Sequence, residues 1–226
     1  MQYRRILALA MLSACAEAGV SLERPDAPVT GNPDAAVDSP TSTGTDAAVD
    51  SPPAGCTMMM VNLLANPAFE TTPLATGWTE TRYMNEPIVR TDGIAGQSPT
   101  TKAWLGGVVG TIGANATDGL HQDIAIPASA MNIVLTGFYE VRTGETGASV
   151  YDRGSLDLVS TAGTVIEPIQ AFTNAAPTTT WTAINKTITA NVKGTTVRLR
   201  MTSSNDFTAA TAFYFDTMAL NATVCQ

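Results

Sequence analysis

From residue 57 onward, apolar and polar positions alternate in short runs, and each run stops at Gly, Pro, Asn or Asp. In MNIVLTGFYEVR, Ile133, Leu135, Tyr139 and Val141 share one face, while Val134 and Phe138 share the other. TVRLRMT sets Val197, Leu199 and Met201 against Arg198 and Arg200. GLHQDIAIP, WTAINKTITA and TAFYFDTMAL follow the same rule. Successive side chains of a strand point to opposite faces, so period two predicts strands with one buried side. Sustained helical periodicity is missing from the same region. Turn residues at AGQSP, PAS, RTGETG, TAGT and KGT separate the runs. About nine to eleven strands spaced this way predict an all-β antiparallel sandwich over residues 56–226.

The first 55 residues follow a different pattern. Arg4 and Arg5 precede a short apolar run, Ile6 to Leu12, and then the small residues Ser13 and Ala14. This is the three-part layout of an export signal, and the run is far shorter than the roughly 20 residues a membrane-crossing helix needs. Leu-Ser-Ala-Cys at 12–15 resembles the lipobox of bacterial lipoproteins. That resemblance implies a signal peptide over 1–14 and a diacylglycerol on Cys15. It also implies a lipid anchor in the bacterial cell envelope. Ala16 follows the cysteine, where an Asp would imply retention at the inner membrane, so the resemblance implies the outer membrane. Plain secretion is the alternative. Residues 15–55 are rich in Pro, Ala, Asp, Ser and Thr, hold no aromatic residue, and repeat DAAVDSP at 34–40 and 46–52. Such a segment buries too little apolar surface to offset the entropy of ordering, which predicts a disordered tether. A coil of that length spans on the order of 35 Å.

The net charge of −8 has no basic stripe within it, which excludes a nucleic-acid partner. Seven acidic and three basic residues precede Cys56, leaving a mildly acidic remainder. There are three cysteines. With Cys15 acylated and the chain exported, Cys56 and Cys225 are left to form a disulfide in an oxidising compartment. Two free thiols are the alternative.

VNLLANPAFETTPLATGWTE at 61–80 resembles the opening of carbohydrate-binding-module-like jelly rolls, through Asn62, Leu63, Asn66, Phe69, Glu70, Gly77 and Trp78. KAWLGG, DGLHQDIAIP, TTTWTAINKTI and VRLRMT continue the likeness. FYFDTMAL resembles the closing strand, with Thr217 where the family pattern has a second Asp. The resemblance covers most of 57–220 and implies a jelly-roll β-sandwich of the galactose-binding-like kind. It further implies structural calcium held by Glu70 and Asp216, with Asn66 adding an amide oxygen. The alternative is that Glu70 caps a turn and Asp216 bonds to backbone amides.

Catalytic signals are sparse. The one histidine, His121, lies in an alternating run beside Gln122 and Asp123, without a Gly-x-Ser-x-Gly elbow elsewhere. There is no zinc motif and no Walker loop. Glu140, Glu145, Asp152 and Asp157 are acids without a sequence pattern that pairs them as a glycosidase would. Sugar recognition needs aromatic surface with planar polar groups beside it. The three tryptophans are assigned to the core, which leaves Tyr139, Arg142, Tyr151, Arg198 and Arg200 as ligand-binding candidates on an exposed face. Tyr83 and Glu86 lie in the loop after Trp78. The expectation is a non-catalytic, surface-displayed module for carbohydrate. The alternative is a structural or adhesion lipoprotein that contacts other proteins and binds no sugar.

Overall fold

The computed structural model describes residues 55–225. The expected signal peptide over 1–14, the expected acylation of Cys15 and the expected tether fall on residues 1–54, outside the described residues. The domain has eleven strands: β1 (Met58–Asn62), β2 (Thr79–Thr81), β3 (Val89–Arg90), β4 (Lys102–Gly106), β5 (Ala116–Ala125), β6 (Ile133–Thr143), β7 (Arg153–Ser160), β8 (Val165–Thr173), β9 (Thr182–Thr187), β10 (Thr196–Asn205) and β11 (Thr211–Cys225). One sheet runs β3-β4-β11-β6-β9, with β1 also on β11; the other runs β2-β5-β10-β7-β8. All pairings are antiparallel. The expected antiparallel jelly-roll sandwich is the observed fold.

Alternation explains why these strands pack as they do. On β10, Val197, Leu199 and Met201 are buried while Arg198 and Arg200 face out. On β6, Leu135 and Val141 are buried beside Phe213, Phe215 and Leu220 of the neighbouring β11, and all five share the core with Leu156 and Leu158 of β7 in the facing sheet. Each such side chain contributes about 1.5–3 kcal/mol on burial. Phe172 of β8 sits at the centre of an aromatic group, 4.8 Å from Tyr139 and 5.3 Å from Phe215.

The long strand β11 sets the two ends of the sandwich. Its last residue bonds to Cys56 through the expected disulfide, with the Cα atoms 5.4 Å apart. Its first residue, Thr211, pairs with Thr143 at the opposite end. At that far end lie the β2–β3, β4–β5, β6–β7, β8–β9 and β10–β11 loops. The loop from β1 to β2 is pinned by Gln122, whose side chain accepts from Ala65 N at 2.7 Å and donates to the carbonyls of Ala65 and Gly77. Beneath it Trp78 packs 5.2 Å from Phe69 and donates its indole N–H to Asn66 O. Trp78 is thus a core residue, as expected.

Candidate functional site

The five ligand-binding candidates do not come together. Arg198 and Arg200 stand on the outer face of the five-stranded sheet. Arg198 forms a two-point pair with Asp123, and Arg200 reaches Asp157 at 3.4 Å. His121 is opposite Arg200 on the same face, and burial together with the Arg198 charge lowers its pKa. No aromatic ring stands beside them on that face of β5, β7 and β10. Arg142 lies on the other sheet and donates to Glu140 at 2.6 Å. Tyr151 is 46% exposed in the β6–β7 loop. Tyr139 does not stand on the exposed face expected of it. Its parity with Leu135 and Val141 turns it inward, onto Phe172.

Glu70, Asp216 and Asn66 are also held by the chain itself. Glu70 accepts from the amides and hydroxyls of Thr100 and Thr101. Asp216 accepts from the amides of Gln97, Ser98 and Thr217. Asn66 accepts from Thr71 N and donates to Leu74 O. Calcium takes six to eight oxygens. As arranged, these three residues do not fit that demand, because N–H groups meet their oxygens where the ion would need further oxygen ligands. The fully buried Lys102 adds positive charge nearby, its own ammonium donating to Asp92 O. A different group of acids, Glu145, Asp152 and Asp206 at the far end, brings three carboxylate oxygens within 4.8 Å of one another, a spacing that could hold a metal ion, but these oxygens too accept from the chain, from Ala209 N, Asp206 N and Thr208 N.

What the fold does assemble is a pocket of about 210 Å³ at the edge of the six-stranded sheet. Its parts come from the β2–β3 loop, β3, β4 and the turn after β4. Two buried or half-buried acids position it. Glu80 on β2 accepts from Ile88 N and Val89 N, which closes the loop back onto β3. Asp118 on β5 accepts from Tyr83 N at 2.8 Å and from Gly106 N at 2.9 Å, joining that loop to the end of β4. Both acids thereby fix backbone that would otherwise be free to move.

Trp104 on β4 is the centre of the pocket. In KAWLGG, Ala103 and Leu105 are buried, so alternation turns Trp104 outward, beside Tyr214 at 5.4 Å between ring centroids. Backbone without side chains lies close on the indole. A Cβ on Gly93 would come within 2.7 Å of its ring, and one on Gly107 within 2.5 Å of its nitrogen. Arg90 lies over the ring, 4.4 Å from its centroid. Asp92 binds Arg90 at two points, and that pairing holds the Asp92 carboxyl down to about 2. Among the described residues the buried Trp104 indole N–H has no hydrogen-bond partner. The indoles of Trp78 and Trp181, by contrast, donate to Asn66 O and Ala95 O. Tyr83, Met84 and Glu86 complete the lining.

Sequence reasoning had Tyr83 and Glu86 in view and missed Trp104, Arg90 and Asp118. The missing signal was parity: the same alternation that buries Ala103 and Leu105 excludes Trp104 from the core.

No family model matches the chain, and none of the curated proteins compared with it matches. Several solved structures match part of it at low sequence identity. An arabinose-bound α-L-arabinofuranosidase is 14% identical with a TM-score of 0.47, and the match covers 71% of this chain but 26% of that one. A family 61 carbohydrate-binding module in complex with β-1,4-galactotriose is 17% identical with a TM-score of 0.41, over 71% of this chain and 97% of that one. The K1 cleaved adhesin domain of Lys-gingipain from Porphyromonas gingivalis is 13% identical with a TM-score of 0.41, over 73% and 97%.

Proposed function

We propose that this chain is a non-catalytic, surface-displayed binding module that holds carbohydrate in the Trp104 pocket. The observation that carries the proposal is the buried, unpartnered indole N–H of Trp104 in a pocket it shares with Tyr83, Glu86 and Arg90. An unpaired buried donor costs about 1–3 kcal/mol, and a ligand hydroxyl would relieve that cost. Aromatic surface with a few convergent polar groups is what a pyranose or furanose ring asks of a protein. The lining does not suit hydrolysis. A glycosidase needs two working carboxylates, and here one of the two lining acids, Asp118, has each oxygen engaged by a backbone amide.

Display rests on the sequence. The export layout, the lipobox-like Leu-Ser-Ala-Cys and the polar tether support a lipid anchor at Cys15 in the bacterial outer membrane. Gly55, where the tether joins, is next to the disulfide, at the end of the sandwich opposite the pocket loops.

The test is a glycan array probed with the full chain. Binding is expected, and Trp104→Phe, which keeps an aromatic ring but loses the pyrrole ring with its N–H, should weaken it about tenfold while the circular dichroism spectrum stays unchanged. A blank array, or Trp104→Phe binding as wild type does, would overturn the proposal.

A second reading, adhesion to another protein, is favoured by one feature. The far end exposes Met84 (63%), Ile112 (89%) and Phe207 (53%), and exposed apolar groups in company often mark an interface. Under that reading Ile112→Asp with Phe207→Asp abolishes capture of a purified partner, and the glycan array is blank.

A further inference from the structure

We infer that the Trp104 pocket takes an uncharged sugar residue and rejects uronic acids and other anionic sugars. The inference rests on the carbohydrate reading and names the ligand class within it.

The pocket has one cation, and that cation is already occupied. Nε and Nη2 of Arg90 donate to Asp92, and Nη1 turns towards Glu86, 3.9 Å away. A guanidinium captures a ligand carboxylate by offering two parallel N–H groups. Here the Nε–Nη2 edge is filled from within the chain, and the remaining Nη1 groups lie on the side of Glu86. The strong Arg90–Asp92 pairing keeps Asp92 ionised down to about pH 2, so the fork stays filled wherever binding is measured.

The remaining charges in the lining are negative. Glu86 and Asp118 line the pocket beside the single lining cation, Arg90, while the Asp92 carboxylate paired with Arg90 and the buried Lys102 ammonium near it lie outside the lining. Bringing a further carboxylate or sulfate into this enclosure adds like-charge repulsion from Glu86 and Asp118, and the Nη1 side of Arg90 that could offset it is already shared with Glu86. The polar groups left for a ligand have opposite characters. Trp104 offers a donor, and the exposed carboxylate of Glu86 offers acceptors. A sugar hydroxyl is both donor and acceptor and satisfies the two together; an anionic group has nothing to give Glu86. The volume, about 210 Å³, is below the roughly 300–1,000 Å³ of pockets for drug-sized ligands and suits a single ring.

The test is titration of the full chain, followed by tryptophan fluorescence and calorimetry. The probes are matched neutral and acidic glycosides: methyl glucoside against methyl glucuronide, and methyl galactoside against methyl galacturonide, with methyl xyloside as a pentose control. The neutral member of at least one pair should bind about tenfold or more tightly than its acid. Glu86→Gln should narrow that gap, chiefly by strengthening the acid. Equal or tighter binding of the acidic member would overturn the inference and leave the carbohydrate reading standing. Silence from every glycoside, neutral and acidic, would overturn the carbohydrate reading and this inference with it.

Discussion

At the scale of single residues, the sharpest expectation concerns Asp216. Burial pushes its carboxyl up to about 6 from an ordinary 3.8, against the opposing pull of the Ser98, Thr217 and Gln97 amides. A carboxyl raised on folding stabilises the folded state fully below its unfolded pKa, and that contribution is lost as pH rises through the folded value. Wild-type stability should therefore fall between pH 4 and 7 relative to Asp216→Asn, by up to about 3 kcal/mol, in urea unfolding at each pH. Parallel profiles for the two proteins would contradict the burial argument. Gln122 gives a second expectation. Three backbone groups depend on its amide, so Gln122→Leu should cost about 1–3 kcal/mol and loosen residues 63–78 to hydrogen exchange. Unaltered exchange there would mean that the loop is held by other contacts.

Among the elements, β11 carries the most structure. It pairs with β4, β6 and β1, and Phe215 lies fully buried against Phe172. Phe215→Ala should cost about 3–5 kcal/mol by thermal unfolding, whereas Phe207→Ala, in the loop that precedes it, should be nearly neutral. A mild Phe215→Ala would mean that the sheets pack elsewhere. The strands were legible in the sequence because burial on one face imposes period two, as in β6 and β10. Which way a particular side chain faces was legible as well, and Tyr139 shows the rule misapplied. Its parity with Leu135 and Val141 places it inside, whereas the need of a sugar site for an aromatic platform assigns it to the exposed face. Trp104 is the converse, an aromatic excluded from the core by its neighbours. What the sequence could not show is distance. Arg90 and Trp104, or Asp118 and Tyr83, meet only through the strand order β3-β4 and β2-β5, which alternation does not determine. The same holds for Glu70 and Asp216, whose oxygens the 97–101 segment reaches through its amides.

For the whole molecule, the disulfide and the pocket divide the work between the two ends. Cys56–Cys225 closes a loop of 169 residues, for which the chain-entropy model gives about 4–5 kcal/mol. Cys225→Ser should lower the unfolding midpoint accordingly while leaving sugar binding intact at low temperature, since the bridge is remote from Trp104. Loss of binding in a folded Cys225→Ser protein would contradict that separation. The most direct measurement of the central claim is the indole region of a proton–nitrogen correlation spectrum of the full chain as neutral glycoside is added. Three indole signals are expected, one for each tryptophan. The Trp104 signal, identified by its absence in Trp104→Phe, should shift as ligand engages the unpartnered N–H, while that of Trp78, already bonded to Asn66, stays in place. If saturating ligand leaves Trp104 unmoved, or moves Trp181 alone, the pocket described here is not the binding site.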